Sequence, residues 1–563
     1  MESASKKRAK ALAEQARSKA KELLLVDEEE PDGDRGGNDT AASAQFIKKF
    51  GSTSSKSPAA RLRGTLAPDA VSTSFPAPPE DNGSISQAGE TGLISGSLVA
   101  TAGTIGDGPH GSAGDGTGDF DYYAIRKATA GQRVTIDTDA SVEHLDSIVI
   151  LWDATGNAVA VNDDDDTGTS LDSKLSVALP ADGDYFAMVG GFGSAPGDPF
   201  DSGSGTGIAE AGGEGAYEVT IGLDAADVDY YAVKLKAGDV LSGSATGSAS
   251  RLSVYDSSVR QVFGSEQDFS GIYPMLSPLA GGGNAVVDHV VTKTGMHYLA
   301  VEGSTGDYDV VFEVYRPGPE TGHATQTIFL DFDGQRVNTA IFGGRGVSTL
   351  SGLSAFLGRW AIPTAQKNAL INRVIATVTE NLKQDFTGTG VKIKILNSRD
   401  NADPFGRPNV SRLIIGGTIA ESGVDTIGIA QSIDPGNFDT AETALVLLDV
   451  VSAPTADEPE ASFNAYLTPT SDRVKFVGTA LGNLASHEAG HYLGNWHVDQ
   501  FNTVLNLMDQ GGNFPLLYAV GPDGVGGTAD DPDVDFGADT LNPYEGFSGV
   551  ENTSARTRWG LTP

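Results

Sequence analysis

The sequence predicts a multidomain fold in which two all-β sandwich or jelly-roll domains precede an α+β domain. The first observation is length, because 563 residues exceed a single core at roughly 150 residues per domain. The second is composition, since 72 glycines and 7% aromatic residues favour strands and turns over long helices. The third is an internal repeat that is followed by alternating strand and helix patterns. Four segments result, at 1–90, 91–222, 223–318 and 324–563.

The first 90 residues predict a charged helical tail followed by a disordered linker or prosegment. Lysine and arginine are frequent in Met1–Val26, as in a basic helix that is either solvated or bound to something acidic. Its apolar patch Leu23–Val26 is shorter than the roughly 7–15 apolar residues of a secretory signal, so we expect no export signal here. From Asp27 to Glu90 the chain is acidic, then rich in Ser, Pro, Ala and Gly, without a sustained period.

A repeated strand pattern organises residues 91–318. One copy begins with Asp119–Tyr123 (DFDYY), and the other begins with Asp227–Tyr231 (DVDYY). Further matches keep the same order and pair 148–153 with 252–256 and 183–189 with 295–301. Apolar and polar residues alternate between Gly and Asp turns, which indicates short antiparallel strands. We therefore predict two β-sandwiches of about 100 residues each.

These repeats resemble the bacterial pre-peptidase C-terminal (PPC) domain, a β-sandwich attached to many secreted peptidases. The Asp-x-Asp-Tyr-Tyr and Gly-x-Tyr elements carry the resemblance. In that family the module usually follows the catalytic domain, whereas here both copies precede the metal-binding motif described next. The resemblance therefore does not imply that the modules are removed during maturation.

A histidine motif at residues 487–497 contains three of the chain's eight histidines. His487 and His491 are four residues apart, so on a helix both imidazoles lie on one face and reach a single ion. Gly494 allows the helix to end in a left-handed turn, which brings His497 back as a third ligand. Three neutral imidazoles leave the fourth position of a tetrahedral zinc open, as in catalytic sites. Glu488 is expected to project toward that open position.

The order His-Glu-x-x-His-x-x-Gly-x-x-His resembles the signature of the metzincin clan of zinc peptidases. A bare His-Glu-x-x-His also occurs on ordinary surface helices, but the added Gly494 and His497 favour the zinc interpretation. That clan has a methionine-containing turn beneath the zinc, and the resemblance assigns this role to Met508. Periodicity adds a strand at 328–332, a helix at 365–386, strands at 391–396, 412–416, 426–431 and 443–450, and a motif helix at 474–493.

The resemblance implies a zinc-dependent endopeptidase that hydrolyses peptide bonds of proteins and is secreted or held at the cell surface. Glu488 is expected to accept the proton of the zinc-bound water and later to give it to the departing amine. An extended protein or peptide substrate is expected to add as a strand along Gly428, Ile429 and Ala430. Some metzincins place a tyrosine where this chain has Gln510, and Asp499 is a candidate to orient a ligand from outside the metal's own shell.

Composition excludes several other classes. The 75 acidic and 38 basic residues give a net charge of −37, which argues against nucleic-acid binding. No apolar run approaches the roughly 20 residues of a membrane span, and the absence of cysteine excludes disulfides and thiolate ligands. Clustered carboxylates are candidate calcium ligands, with solvated acidic turns as the alternative. These candidates are Asp163, Asp165, Asp523, Asp530, Asp531, Asp533 and Asp535.

Two other functions stay open at the level of sequence. One is a calcium-binding surface or adhesion protein whose peptidase domain is inactive or cleaves only itself. The other is a zinc hydrolase that acts on a non-peptide amide. The sequence does not determine cleavage specificity, the maturation site or the oligomeric state.

Overall fold

The structure is a computed structural model that describes residues 23–30, 37–53, 55–79, 81–108, 119–140, 145–164, 171–207, 213–316, 325–510 and 513–561. Over these residues the chain is mostly β-sheet, divided among several sheets. The predicted basic helix up to residue 22, the predicted boundary at 318–324 and Asp165 lie outside the described residues.

The segment before the first repeat forms strands that belong to both sandwiches. These strands are β1 (Leu24–Asp27), β2 (Gln45–Phe46), β3 (Ala59–Leu66), β4 (Ser72–Ser74) and β5 (Gly89–Glu90). Ile47, Phe50 and Leu62 are buried in the core of the second repeat. The prediction that residues 27–90 lack a core is therefore wrong, and Leu24–Val26 are extended rather than helical. The reason is that Ile47, Phe50 and Leu62 bury their side chains against strands from much later in the chain, which local periodicity does not detect.

The first repeat forms a β-sandwich. Its strands are β6 (Ser97–Ile105), β7 (Asp121–Ala128), β8 (Arg133–Ala140), β9 (Ser147–Asp153), β10 (Ala158–Asn162), β11 (Lys174–Ala178), β12 (Gly183–Gly191), β13 (Ser194–Pro196), β14 (Gly205–Gly207) and β15 (Gly215–Leu223). Two five-stranded sheets have the orders β10-β9-β12-β7-β5 and β11-β8-β15-β6-β4. Their inner faces meet in one core, which includes Tyr123, Leu151 and Val219. Alternation of buried and exposed residues along each strand produces this packing.

The second repeat forms a sandwich from one bent sheet. Its strands are β16 (Asp229–Leu235), β17 (Val240–Tyr255), β18 (Gln261–Ser265), β19 (Ala285–Val290) and β20 (Gly295–Tyr315). The long strands β17 and β20 pair with each other, and their register shifts between Gly247 and Arg251. On one side of this bend they pair with β19 and β3, and on the other side with β18 and β16. Each long strand therefore contributes to both layers.

The C-terminal part combines a mixed sheet with helices. Its strands are β21 (Gln326–Asp331), β22 (Arg336–Asn338), β23 (Val347–Thr349), β24 (Ile393–Asn397), β25 (Val410–Ile415), β26 (Gly428–Ala430), β27 (Thr443–Val446), β28 (Ala538–Thr540), β29 (Phe547–Ser548) and β30 (Val550–Asn552). The α-helices are α1 (Lys367–Thr379), α2 (Ile419–Ser422), α3 (Arg473–Tyr492), α4 (Phe514–Leu517) and α5 (Thr553–Leu561). Short 3-10 turns occur at Ile85–Gln87, Ser270–Ile272, Thr339–Phe342, Leu353–Ala355, Leu357–Trp360, Thr364–Gln366, Phe463–Tyr466 and Pro543–Glu545.

The sheet order in this part is β24-β21-β25-β27-β26, and the edge strand β26 is antiparallel to β27 while the other pairs are parallel. Helix α1 continues into a π-helical turn at Glu380–Gln384. Leu370, Val374 and Val378 of α1 share a core with Val477 and Leu481 of α3, as their helical spacing predicts. Among the described residues, no helix is long and apolar enough to cross a membrane.

The two sandwiches and the C-terminal part share buried contacts. Strand β29 pairs with β18 and so extends the sheet of the second sandwich. Trp496, which belongs to the histidine motif, is buried in the core of the second sandwich. Arg133 of the first sandwich forms a buried ion pair with Glu302 of the second, and its Nη2 donates a hydrogen bond of 2.8 Å to the hydroxyl of Tyr255. The second sandwich therefore contacts the first sandwich through buried polar groups, and it contacts the C-terminal part through strand pairing and the buried indole of Trp496.

Candidate metal centre

The histidine motif lies at the end of the buried helix α3. The helix begins after Asp472, whose carboxylate accepts a hydrogen bond of 3.0 Å from the amide of Lys475, the usual N-cap interaction. It ends before Gly494, which has a φ of 99°. A Cβ at Gly494 would lie 2.5 Å from the Cα of Pro435, so only glycine fits both the conformation and the space. This turn directs the following residues back toward the helix.

The three motif histidines converge. The Nε2 atoms of His487 and His491 are 3.2 Å apart, and one ring nitrogen from each of His487, His491 and His497 lies within 4.8 Å of the other two. Two nitrogens bound about 2.1 Å from a tetrahedral zinc are separated by about 3.4 Å. The distance and the donor type therefore fit zinc, and the structure brings together all three residues that the sequence proposes as ligands.

In each of the three histidines, the Nδ1 atom faces a hydrogen-bond acceptor. The Nδ1 of His487 lies 2.6 Å from the carbonyl oxygen of Leu507, and that of His491 lies 3.0 Å from the carbonyl oxygen of Asn495. The Nδ1 of His497 lies 2.7 Å from Oε1 of Glu545. A ring nitrogen that faces an acceptor carries the proton, so each Nε2 is left with the lone pair that a metal requires.

Burial keeps the imidazoles of His487 and His491 neutral. Burial and then the neighbouring His497 lower the pKa of His487 to about 3. Burial is also the largest cause of the lowered pKa of His491, which lies well below its ordinary value. Neutral imidazole is the form that coordinates a metal.

Glu488 lies beside the three histidines in one cavity of about 660 Å³. Its side chain is buried, with 4% exposure, and its Oε2 has no hydrogen-bond partner. Burial raises the pKa of this carboxyl well above its usual range. A Cβ at Gly428 would overlap Oε1 of Glu488, so glycine at this position leaves the space that the carboxylate occupies.

The edge strand β26 lines the same cavity. Gly428, Ile429 and Ala430 all contribute to its wall, as do Leu484, Gln510, Phe514 and Leu517. Among the described residues that line it, Glu488 is the one Asp, Glu, Lys or Arg side chain. The cavity therefore combines an apolar wall with a carboxylate and three imidazoles, a composition that is typical of binding sites.

Met508, the residue predicted to form a turn beneath the metal, contacts the motif helix. A Cβ at Gly490 would lie 2.5 Å from the Sδ of Met508, and the carbonyl oxygen of Met508 accepts a hydrogen bond of 3.0 Å from the amide of Val498. Asp499, in contrast, accepts a hydrogen bond of 3.0 Å from the amide of Phe501. The carboxylate that contacts a histidine ligand is Glu545, which sequence reasoning missed.

The predicted calcium ligands of the C-terminal part do not form one group. Asp531 pairs with Lys475 at 3.3 Å, and Asp530 accepts a hydrogen bond of 3.2 Å from the amide of Asp523. Asp533 and Asp535 converge instead with Glu380, and both are exposed. In the first sandwich Asp163 is described, and burial raises the pKa of its carboxyl.

A different carboxylate cluster forms at the base of the second sandwich. It consists of two overlapping groups of three residues, and within each group one carboxylate oxygen per residue lies within 4.8 Å of the others. The first group is Glu28, Glu30 and Asp229, and the second is Glu30, Asp39 and Asp227. Asp227 is buried, and its Oδ1 has no hydrogen-bond partner. Clustered carboxylate oxygens are the ligands that calcium prefers. The sequence signals were the acidic run before residue 31 and the Asp-x-Asp of the second repeat, which are far apart in the chain.

Asp288 of the second sandwich holds the residue before the third histidine. It is fully buried, and its Oδ2 accepts a hydrogen bond of 2.9 Å from the Nε1 of Trp496 and another of 2.9 Å from the hydroxyl of Tyr273. Its Oδ1 accepts a hydrogen bond of 2.6 Å from Arg556 of helix α5. The indole ring of Trp496 packs against Phe269 with centroids 4.4 Å apart. The histidine motif is thus fixed to the second sandwich.

Comparison with family models and with curated proteins finds no match for this chain. Among solved structures, Aeromonas hydrophila PliG, a periplasmic inhibitor of g-type lysozyme, is 16% identical over 28% of this chain and 99% of its own, with a TM-score of 0.15. The pre-peptidase C-terminal domain of a Bacillus anthracis collagenase is 15% identical over 26% of this chain and 99% of its own, with a TM-score of 0.16.

A third similar structure is CorA, a surface-associated copper-binding protein important in copper acquisition by Methylomicrobium album BG8. It is 13% identical over 28% of this chain and 100% of its own, with a TM-score of 0.16. Similarity at this level assigns neither a family nor an activity.

Proposed function

We propose that this protein is a zinc-dependent endopeptidase that hydrolyses peptide bonds of proteins. The observation that carries the proposal is the convergence of His487, His491 and His497 within 4.8 Å, beside Glu488 in a cavity of about 660 Å³. We further propose that residues 324–563 are a metzincin-like α+β catalytic domain and that the two sandwiches are PPC-like modules. Their resemblance to modules of secreted peptidases supports an extracellular or cell-surface location.

Each residue of the site has a defined task. The three histidines would hold zinc, which supplies a Lewis acid and lowers the pKa of a bound water toward about 7. Glu488 lies in the same cavity with an unpaired carboxylate oxygen, so it can accept a proton from the attacking water. The same oxygen can then deliver that proton to the nitrogen of the departing amine. Glu545 holds His497 in the tautomer that binds metal.

The edge strand β26 supports an extended polypeptide as substrate. The amide of Leu447 donates to the carbonyl of Ile427 at 2.7 Å, and the amide of Gln431 donates to the carbonyl of Thr443 at 3.0 Å. Antiparallel strands alternate the direction of their backbone groups, so the groups of Gly428 and Ala430 point to the open edge. A peptide added along this edge would run through the cavity that contains Glu488.

The carboxylate cluster around Asp227 supports a second candidate function. In this alternative the chain is a calcium-binding surface or adhesion protein whose zinc-binding part is inactive or cleaves only itself. The two functions differ in what happens to a separate protein substrate.

Metal analysis and a cleavage assay in trans test the proposal together. We expect about one zinc per chain and cleavage of an unfolded protein substrate, with the Glu488→Ala variant retaining zinc but losing cleavage. Full cleavage by Glu488→Ala, or a purified chain that binds no zinc, would refute the endopeptidase proposal. Zinc binding with self-cleavage alone would favour the surface-protein alternative.

A further inference from the structure

We propose that the second β-sandwich forms part of the substrate-binding wall and that Ile272 contacts a bulky apolar side chain of the peptide. This inference rests on the endopeptidase function proposed above and names the substrate class of the same site. The wall segment, residues 269–273, lies within the loop that connects β18 with β19. Gly271 and Ile272 of this segment line the cavity that contains Glu488 and the three histidines.

The wall segment is held on the catalytic part by contacts along its length. The amide of Ile433, three residues beyond β26, donates a hydrogen bond of 3.0 Å to the carbonyl oxygen of Ile272. Phe269 packs against Trp496 with centroids 4.4 Å apart. Within the sandwich, the hydroxyl of Tyr273 donates at 2.9 Å to Asp288, whose carboxylate also accepts a hydrogen bond from the indole of Trp496. Ile272 is therefore carried by a sandwich whose position is fixed relative to the histidine motif.

The chemistry of the cavity selects an apolar side chain. Ile272 is 46% exposed, and Ile341, Ile427, Ile429 and Ile433 line the same cavity. The chain has a net charge of −37, yet Glu488 supplies the one carboxylate of this wall among the described lining residues. An aliphatic or aromatic side chain would remove these apolar surfaces from water. An acidic side chain would lose hydration there and find no Lys or Arg partner among the described lining residues.

The occupant is an extended peptide because the open edge of β26 lines the same cavity as Ile272. A peptide paired with Gly428 and Ala430 places alternate side chains on opposite faces. One set of those side chains then meets the walls of the cavity, which include the surface of Ile272. The second sandwich would in this way contribute to specificity without contacting the reacting atoms.

The test uses the full-length zinc-loaded chain and a set of fluorescein-labelled extended peptides that carry Leu, Phe, Lys or Asp at each position in turn. Cleavage sites and kcat/KM are measured for the wild type, Ile272→Asp, Ile272→Ala and Met275→Asp. Met275 is the matched control, because it lies on the same loop, is 98% exposed and does not line the cavity. Anisotropy measures binding of the same peptides to chains that also carry Glu488→Ala.

We expect Ile272→Asp to lower kcat/KM for the preferred Leu or Phe peptide by about tenfold or more, and Ile272→Ala by a smaller factor. The preference at that peptide position should move toward Lys in Ile272→Asp, and Met275→Asp should match the wild type in both assays. Unchanged preference and affinity in both Ile272 variants would overturn the inference. If the wild type binds Leu and Phe peptides through Ile272 but cleaves none, the endopeptidase function fails while the binding wall stands.

Discussion

Glu545 accepts a hydrogen bond from the third histidine of the motif, with its Oε1 2.7 Å from the Nδ1 of His497, although 48 residues separate the two in the chain. Glu545 ends the 3-10 turn Pro543–Glu545. Its backbone oxygen accepts a hydrogen bond from Gln267 of the second sandwich. A carboxylate in this position fixes the tautomer of a histidine ligand and raises its basicity.

Replacement of Glu545 by glutamine should lower zinc affinity by about 10–100-fold, because an amide holds the imidazole less strongly than a carboxylate. Competition with a chromophoric chelator measures the affinity directly and does not depend on catalysis. Glu460→Gln is a suitable control, since that side chain is exposed and is outside the cavity. Equal zinc affinity in Glu545→Gln and the wild type would show that the contact does not support the metal.

Gly428→Ala should reduce kcat by about a hundredfold, because the new Cβ overlaps Oε1 of Glu488 and a displacement of about 1 Å costs that much. Zinc content should not change, since the atoms nearest to the added Cβ belong to Glu488 and not to a histidine ligand. Gly358→Ala is the matched control, because nothing lies within 4 Å of a Cβ at that position. Steady-state kinetics and metal analysis of both variants check the result, and normal kcat in Gly428→Ala would contradict the proposed position of the base.

Asp288→Ala should lower the free energy of unfolding by about 3 kcal/mol or more. The substitution leaves the buried guanidinium of Arg556 with one partner fewer, and it removes the acceptor for the indole of Trp496 and the hydroxyl of Tyr273. Arg556 and Asp288 are 2% and 0% exposed at their side chains. Urea unfolding followed by the fluorescence of the chain's four tryptophans, which include Trp496, measures the loss.

The control for this variant is an ion pair at the surface. Glu90 pairs with Arg126 at 2.6 Å, but the two side chains are 64% and 39% exposed. Glu90→Ala should therefore cost less than about 1 kcal/mol. Similar losses in the two variants would mean that Asp288 does not tie the sandwich to the motif.

The cluster around Asp227 should make stability depend on pH and calcium together. Burial raises the pKa of Asp227 to about 7 and that of Asp229 to about 9. These carboxyls hold protons in the folded state at pH values where the unfolded chain has lost them, so their contribution to stability decreases as pH rises from about 4 to about 9. Calcium binds the ionised form, so it should raise the Tm more at pH 8 than at pH 5.5.

Thermal unfolding of the zinc-loaded protein, with and without added calcium, measures this effect at the two pH values. Calcium at a concentration a hundredfold above its Kd should raise the free energy of unfolding by about 2.7 kcal/mol. The double variant Asp227→Asn, Asp229→Asn should lose both the calcium response and the pH dependence. The double variant Asp533→Asn, Asp535→Asn serves as the control at an exposed acidic group. If this variant loses the calcium response instead, the ion binds at Asp533 and Asp535, and the prediction for the Asp227 cluster is wrong.

The convergence of the three histidines and the helix that carries two of them were predictable because their relationship is local. His487, Glu488 and His491 share one helix, and Gly494 with its φ of 99° returns the chain to His497. The predicted helix at 474–493 is found at Arg473–Tyr492, since its apolar spacing reflects the core that it contacts. The predicted strand at 443–450 ends at Val446, and the chain turns at 449–450.

The contacts that support the site were not predictable from local patterns. Glu545, Asp288 and the strands before residue 67 act through partners that are remote in sequence. An acidic residue in a chain with 75 such residues gives no sign of which imidazole it will contact. Two-residue strands such as β2 carry no period of their own, and only the sheet that they join defines them.

The burial of Trp496 among strands of the second sandwich has a consequence for biosynthesis. Strands β16 to β20 of the second sandwich leave the ribosome before the histidine motif does, whereas Phe547 of β29, which also packs against the indole, follows the motif in the chain. The third histidine therefore takes its place when the neighbouring indole packs into the core of the second sandwich. Formation of the histidine cluster would then depend on a folded second sandwich, so misfolding of that module would also prevent the three imidazoles from converging.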